Sequence, residues 1–80
     1  MRVSVKLYAT LRKYLPSESD EGGIVVELPD GATVADLIAQ LRIPSDHAGI
    51  IVSNNEHLDK TAVLINGQEV NVFPPLAGGA

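Results

Sequence analysis

The chain has 80 residues, no cysteine, six Lys and Arg against ten Asp and Glu, and a formal net charge of −4. That length makes one small domain, burying about 60–65% of its extended-chain surface, and without cysteine it must fold on apolar packing rather than on disulfides or a thiolate metal site. The acidic balance excludes the basic patch that nucleic-acid binding needs, and no apolar run reaches the roughly 18–20 residues of a bilayer span, so a soluble, cytoplasmic protein with no nucleic-acid and no membrane partner is expected.

The chain opens on strict alternation. Val3, Val5 and Leu7 point one way and Ser4, Lys6 and Tyr8 the other, the period of a half-buried strand. Ala9 to Leu15 then brings Leu11, Tyr14 and Leu15 to helical spacing, with Pro16 as the stop. Ser17 to Gly23 is acidic and ends in two glycines, the composition of an exposed loop. A second strand follows with Ile24, Val26 and Leu28 on one face, closed by the turn residues Pro29-Asp30-Gly31. These first two strands are expected to pair as a hairpin-like ribbon.

Thr33 begins the clearest helix. Its hydroxyl can accept from the Asp36 N–H, and Asp36 places negative charge where the helix dipole favours it. Val34, Leu37, Ile38 and Leu41 form one apolar stripe, and Pro44 is expected to end the helix. Ser45 to Ala48 is a connector with room for a short helical turn. Ile50 and Val52 mark a third strand, Asn54-Asn55 a turn, and Glu56 to Leu58 a short return strand. After the Asn66-Gly67 turn, Val70 and Val72 mark a final strand that runs straight into the tail. Strands segregated around one strong helix define an α+β class, a sheet folded over a helix on one face. A last strand placed centrally would leave the tail projecting from a rigid base.

The tail itself, Phe73-Pro74-Pro75-Leu76-Ala77-Gly78-Gly79, resembles the ending of the small subunit of molybdopterin synthase, within the MoaD/ThiS-type ubiquitin-like sulfur carriers. The likeness extends upstream to Leu7-Tyr8-Ala9-Thr10-Leu11-Arg12, to Thr33-Val34-Ala35-Asp36-Leu37 and to Leu64-Ile65-Asn66-Gly67-Gln68-Glu69-Val70. It implies a ubiquitin-like β-grasp fold, a mixed sheet of four to five strands over one main helix, with residues 1–74 as the domain and residues 75–80 as a flexible tail ending Gly-Gly-Ala. It also implies a chemistry. An adenylating partner enzyme uses ATP to activate the terminal glycine, sulfur replaces AMP, and the resulting thiocarboxylate delivers sulfur inside a second enzyme. That acceptor is expected to be the molybdopterin synthase large subunit or an equivalent.

The residue types suit this task. Glycine has no Cβ to obstruct a narrow channel, so Gly78 and Gly79 can carry a carboxylate to ATP. Pro74 and Pro75 stiffen the base of the arm and reduce the freedom lost on insertion. The protein is then no enzyme alone but the small subunit of a heteromeric sulfurtransferase, with no cofactor bound intrinsically and ATP used by its partner. Family members end on the second glycine, whereas here Ala80 follows Gly79, so a processing protease that removes Ala80 is a further expected partner.

Parity supplies the rest of the candidate site. If Leu7, Leu58 and Val72 face the core, then Tyr8, His57 and Phe73 face outward, where the resemblance places an apolar partner-binding patch. With Pro74, Pro75 and Leu76 they form the expected interface. His57 is unusual in such a patch. His47 and His57 lie in different elements with no metal-ligand pattern and are expected at the surface, and Lys60 is expected to be a solvated lysine. The alternatives are a carrier for cysteine- or thiamine-type biosynthesis that needs Ala80 removed, a ubiquitin-like protein modifier joined to lysines through Gly79, and an interaction module whose tail is never activated.

Overall fold

A computed structural model describes residues 1–15 and 23–75. Strand β1 (Arg2–Leu7) leads into a 3-10 helix (Ala9–Tyr14), followed by β2 (Gly23–Glu27), helix α1 (Val34–Gln40), a second 3-10 helix (Ser45–His47), β3 (Ile50–Ser53), β4 (Glu56–His57) and β5 (Glu69–Phe73). The five strands form one mixed sheet in the order β2-β1-β5-β3-β4. β1 pairs antiparallel with β2 and parallel with β5, while β3 pairs antiparallel with both β5 and β4. One main helix on a mixed five-stranded sheet is the ubiquitin-like β-grasp fold that the resemblance implies.

The alternation in β1 and β5 carries through to burial. Val3, Val5, Leu7, Val70 and Val72 are buried on the helix side of the sheet, against Val34, Leu37 and Ile38 of α1. Leu11 of the first 3-10 helix, Ile51 of β3, and Leu28, Ile43 and Leu64 of the connecting segments close the same cluster. In β3 the buried positions are Ile51 and Ser53, while Ile50 and Val52 are half-buried on the opposite face. Among the described residues Ser53 is the one buried polar side chain, and it is satisfied: its hydroxyl donates to the Glu69 carbonyl at 2.6 Å and accepts from Gln68 Nε2 at 3.0 Å.

Helix α1 starts as expected and ends differently. Thr33 and Asp36 form a reciprocal capping box, with Thr33 N donating to Asp36 Oδ2 at 2.9 Å and Asp36 N donating to Thr33 Oγ1 at 3.3 Å. The remaining free donors of the first turn go to the segment before β5: Val34 N reaches the Ala62 carbonyl at 3.0 Å and Ala35 N the Lys60 carbonyl at 2.9 Å. The end lies at Gln40, not at Pro44. Arg42 takes a left-handed φ of 61°, and the N–H groups of Arg42 and Ile43 return to the carbonyls of Ala39 and Ile38 at 3.0 and 3.2 Å. This is a Schellman stop, sealed by burial of Ile43.

Two other elements differ in detail. Ala9–Tyr14 is the tighter 3-10 form, begun by a left-handed Ala9 at φ 53°, and it buries Leu11 alone. In the turn after β2, Ala32 N donates to the Pro29 carbonyl at 3.2 Å, so Asp30 and Gly31 are the central residues, with Gly31 at φ 87°. The Asn54-Asn55 turn is the expected hairpin, with both residues left-handed at φ 52° and 66°. The expected stop at Pro16 and the acidic stretch through Gly22 lie outside the described residues.

Candidate functional site

The site is built where β1 and β5 end side by side. Leu7 is paired with Val72, and Tyr8 N donates to the Val72 carbonyl at 3.2 Å. The left-handed turn at Ala9 then carries the chain away, leaving Tyr8 at the rim of the sheet. With Leu7 and Val72 facing the core, Tyr8 and Phe73 emerge together on the outer face. Their rings stack with centroids 4.3 Å apart and planes 12° from parallel.

A second contact fixes the tyrosine. Its hydroxyl donates to Asn71 Oδ1 at 2.8 Å, and Asn71 Nδ2 in turn donates to the Val52 carbonyl at 3.3 Å. Ring stacking at one end and a hydrogen bond at the other hold Tyr8 flat across β5. Ile50 is paired with Phe73 and Val52 with Asn71, so both share this face. The result is a half-buried patch of Tyr8, Phe73, Ile50 and Val52 around a single amide.

His57 is on the same face but apart from the stack. It pairs with Val52, one strand beyond β3, which puts it about 10 Å from β5 by two strand spacings. It is exposed, with no hydrogen bond to the Tyr8–Phe73 pair. The structure thus brings Tyr8 and Phe73 together and leaves His57 at the margin. His47 is elsewhere: its Nδ1 lies 3.4 Å from the Tyr14 hydroxyl, linking the two 3-10 helices. Lys60 is not freely solvated as expected. Its Nζ donates to both the carbonyl and the hydroxyl of Ser45, each at 2.7 Å.

Beyond Phe73 the sheet cannot continue. Gly49 N donates to the Phe73 carbonyl at 2.9 Å, and the next two residues are prolines with no N–H to offer. Pro74 and Pro75 therefore offer no N–H to either neighbouring strand at the end of this central strand. Pro74 and Pro75 are described; Leu76, Gly78 and Gly79, assigned above to the interface and the reactive end, lie outside the described residues. Among the described residues no group of three or more His, Cys, Asp or Glu side chains is placed to hold a metal, and no helix is long and apolar enough to cross a membrane.

Two residues of this region escaped the sequence reading. Asn71 sits between Val70 and Val72 and shares the parity of Phe73, so the alternation already put it on the outer face. Gly49 carries no such signal, because its φ is not in the left-handed range and it reads as an ordinary loop glycine.

The described residues form a small β-grasp domain whose central strand β5 runs directly into Pro74 and Pro75. The sequence matches the ThiS family over residues 5–79, and the chain belongs to that family. Small archaeal modifier protein 3 of Haloferax volcanii is 29% identical over 96 aligned positions, covering 99% of this chain and all of that protein. The solution structure of the H. volcanii protein HVO 2177 superposes with a TM-score of 0.76 at 28% identity, covering 99% of this chain and 87% of the other. A provisionally assigned molybdopterin converting factor, subunit 1, from Pyrococcus furiosus gives 0.70 at 27% identity, covering 94% and 98%. Modifier and molybdopterin-factor relatives stand at nearly equal distance, so the relationship is to the wider family of sulfur carriers and ubiquitin-like modifiers. The narrower expectation, a molybdopterin synthase subunit, is not singled out.

Proposed function

We propose that this chain is a ubiquitin-like carrier activated at the carboxyl group of Gly79. The observation that carries the reading is the place of β5: a strand paired on both sides, ending in Phe73-Pro74-Pro75, with Gly78-Gly79 a few residues further along the chain. A partner enzyme binds the Tyr8–Phe73 face and adenylates the glycine, its carboxylate attacking the α-phosphorus of ATP with loss of pyrophosphate. Ala80 follows Gly79, so the Gly79–Ala80 bond is cleaved first. The protein supplies presentation and a stiff arm, and the partner supplies the catalytic groups.

The acyl-adenylate then has two fates. Sulfide displacing AMP leaves a thiocarboxylate for sulfur delivery, to molybdopterin synthesis in the narrowest version. A lysine amine attacking the activated glycine leaves an isopeptide bond, and the modifier of comparable length at 29% identity favours this second fate. ATP–pyrophosphate exchange by the cognate activating enzyme tests the common step. Protein ending at Gly79 is expected to support exchange, while protein ending at Ala80 and protein lacking Gly79 are not. Equal exchange with all three would overturn the proposal.

A further inference from the structure

Gly49 immediately precedes β3 and closes the ladder with β5 by donating its N–H to the Phe73 carbonyl. A Cβ at this position would collide with Pro75 N and Cα and lie 2.9 Å from the Pro74 carbonyl carbon. These are backbone atoms, which cannot swing aside as the end of a long side chain can. The conformation of Gly49 does not demand glycine, since only Gly31 and Gly67 among the described glycines are left-handed. The demand is for space, and the space is filled by the root of the arm.

We infer that Gly49 is a positioning residue for the arm: its bare α-carbon is the seat on which Pro74 and Pro75 rest, and this seat sets the direction in which the chain leaves the sheet at Pro74 and Pro75. The inference rests on the carrier reading of the tail. Proline rings lock φ and remove donors, so they make the arm stiff without tying it to the sheet. Direction has to come from packing, and Gly49 provides it on the β3 side. An arm that starts out in another direction must be redirected before it can enter a partner's channel, and that cost falls on binding rather than on the chemical step.

The test compares Gly49→Ala with Gly67→Ala. Gly67 has φ 83° and nothing within 4 Å of its would-be Cβ, so alanine there strains the fold without touching the arm. Expected for Gly49→Ala is a KM for the carrier raised on the order of tenfold in the activation assay, with kcat retained, the signature of lost preorganised binding. Gly67→Ala is expected to lose thermal stability yet keep the wild-type KM. Nuclear Overhauser contacts from the Gly49 α-protons to Pro75 are expected in the wild type and lost in Gly49→Ala. If Gly49→Ala fails to fold, Gly49→Ala/Pro75→Gly lets the chain turn away from the methyl group and is expected to fold with the raised KM. Absent Gly49–Pro75 contacts in the wild type, or a wild-type KM in a folded alanine variant, would overturn the inference. Wild-type protein that is never activated while the contacts are present would instead sink the carrier reading and leave the seat in place.

Discussion

At the rim of the sheet, Tyr8 does two things with one side chain: its ring covers Phe73 and its hydroxyl reaches Asn71. Tyr8→Phe keeps the stack and removes only the hydrogen bond, leaving Asn71 Oδ1 to find water. The expected loss is about 0.5–1.5 kcal/mol of unfolding free energy, read as a lowered urea midpoint with an unchanged slope. An unaltered midpoint would mean that the hydroxyl contributes nothing beyond its ring. The pairing of Tyr8 with Phe73 follows from alternation, because Leu7 and Val72 are unmistakable core residues. The Asn71 contact was out of reach, since it depends on β1 and β5 lying parallel and in register, and local spacing does not say which strands are neighbours. Gly49 was harder still. A glycine required for close approach looks, in sequence, like any glycine in a loop.

Helix α1 is short, seven residues, and an isolated helix of that length has no stability of its own. Its start is over-determined: the capping box satisfies Thr33 N and Asp36 N, and the Ala62 and Lys60 carbonyls take the donors of Val34 and Ala35. Thr33→Ala removes the hydroxyl from this set and is expected to cost about 1 kcal/mol, measured by chemical denaturation. A neutral substitution would show that the crossing segment alone anchors the helix start. The cap was readable because Thr-x-x-Asp before an apolar stripe is a local signature. The end was not, because Pro44 is a louder signal than Arg42, and arginine is an unusual residue at a left-handed position that glycine normally fills. The stretch Ala9 to Leu15 likewise reads as plain helical spacing, whereas the observed element is Ala9–Tyr14. Its 3-10 winding follows from a left-handed alanine that nothing in the spacing announces.

The whole molecule is organised around β5. Val70 and Val72 are buried on one face, and pairing with β1 and β3 at both edges makes this last described strand the middle one of the sheet. The class of fold was accessible from element order and one amphipathic helix, and the family from short segments spread from Leu7 to Gly79. The choice between sulfur delivery and protein modification was not, because both use the same arm and the same activated glycine and differ in the nucleophile that the partner admits. That common step is the central claim, and the intact mass of the protein isolated from its own cells tests it most directly. The account predicts a species that has lost Ala80, with a fraction carrying one sulfur in place of one carboxylate oxygen or an isopeptide-linked target. A population that uniformly retains Ala80, with neither modification, would contradict it.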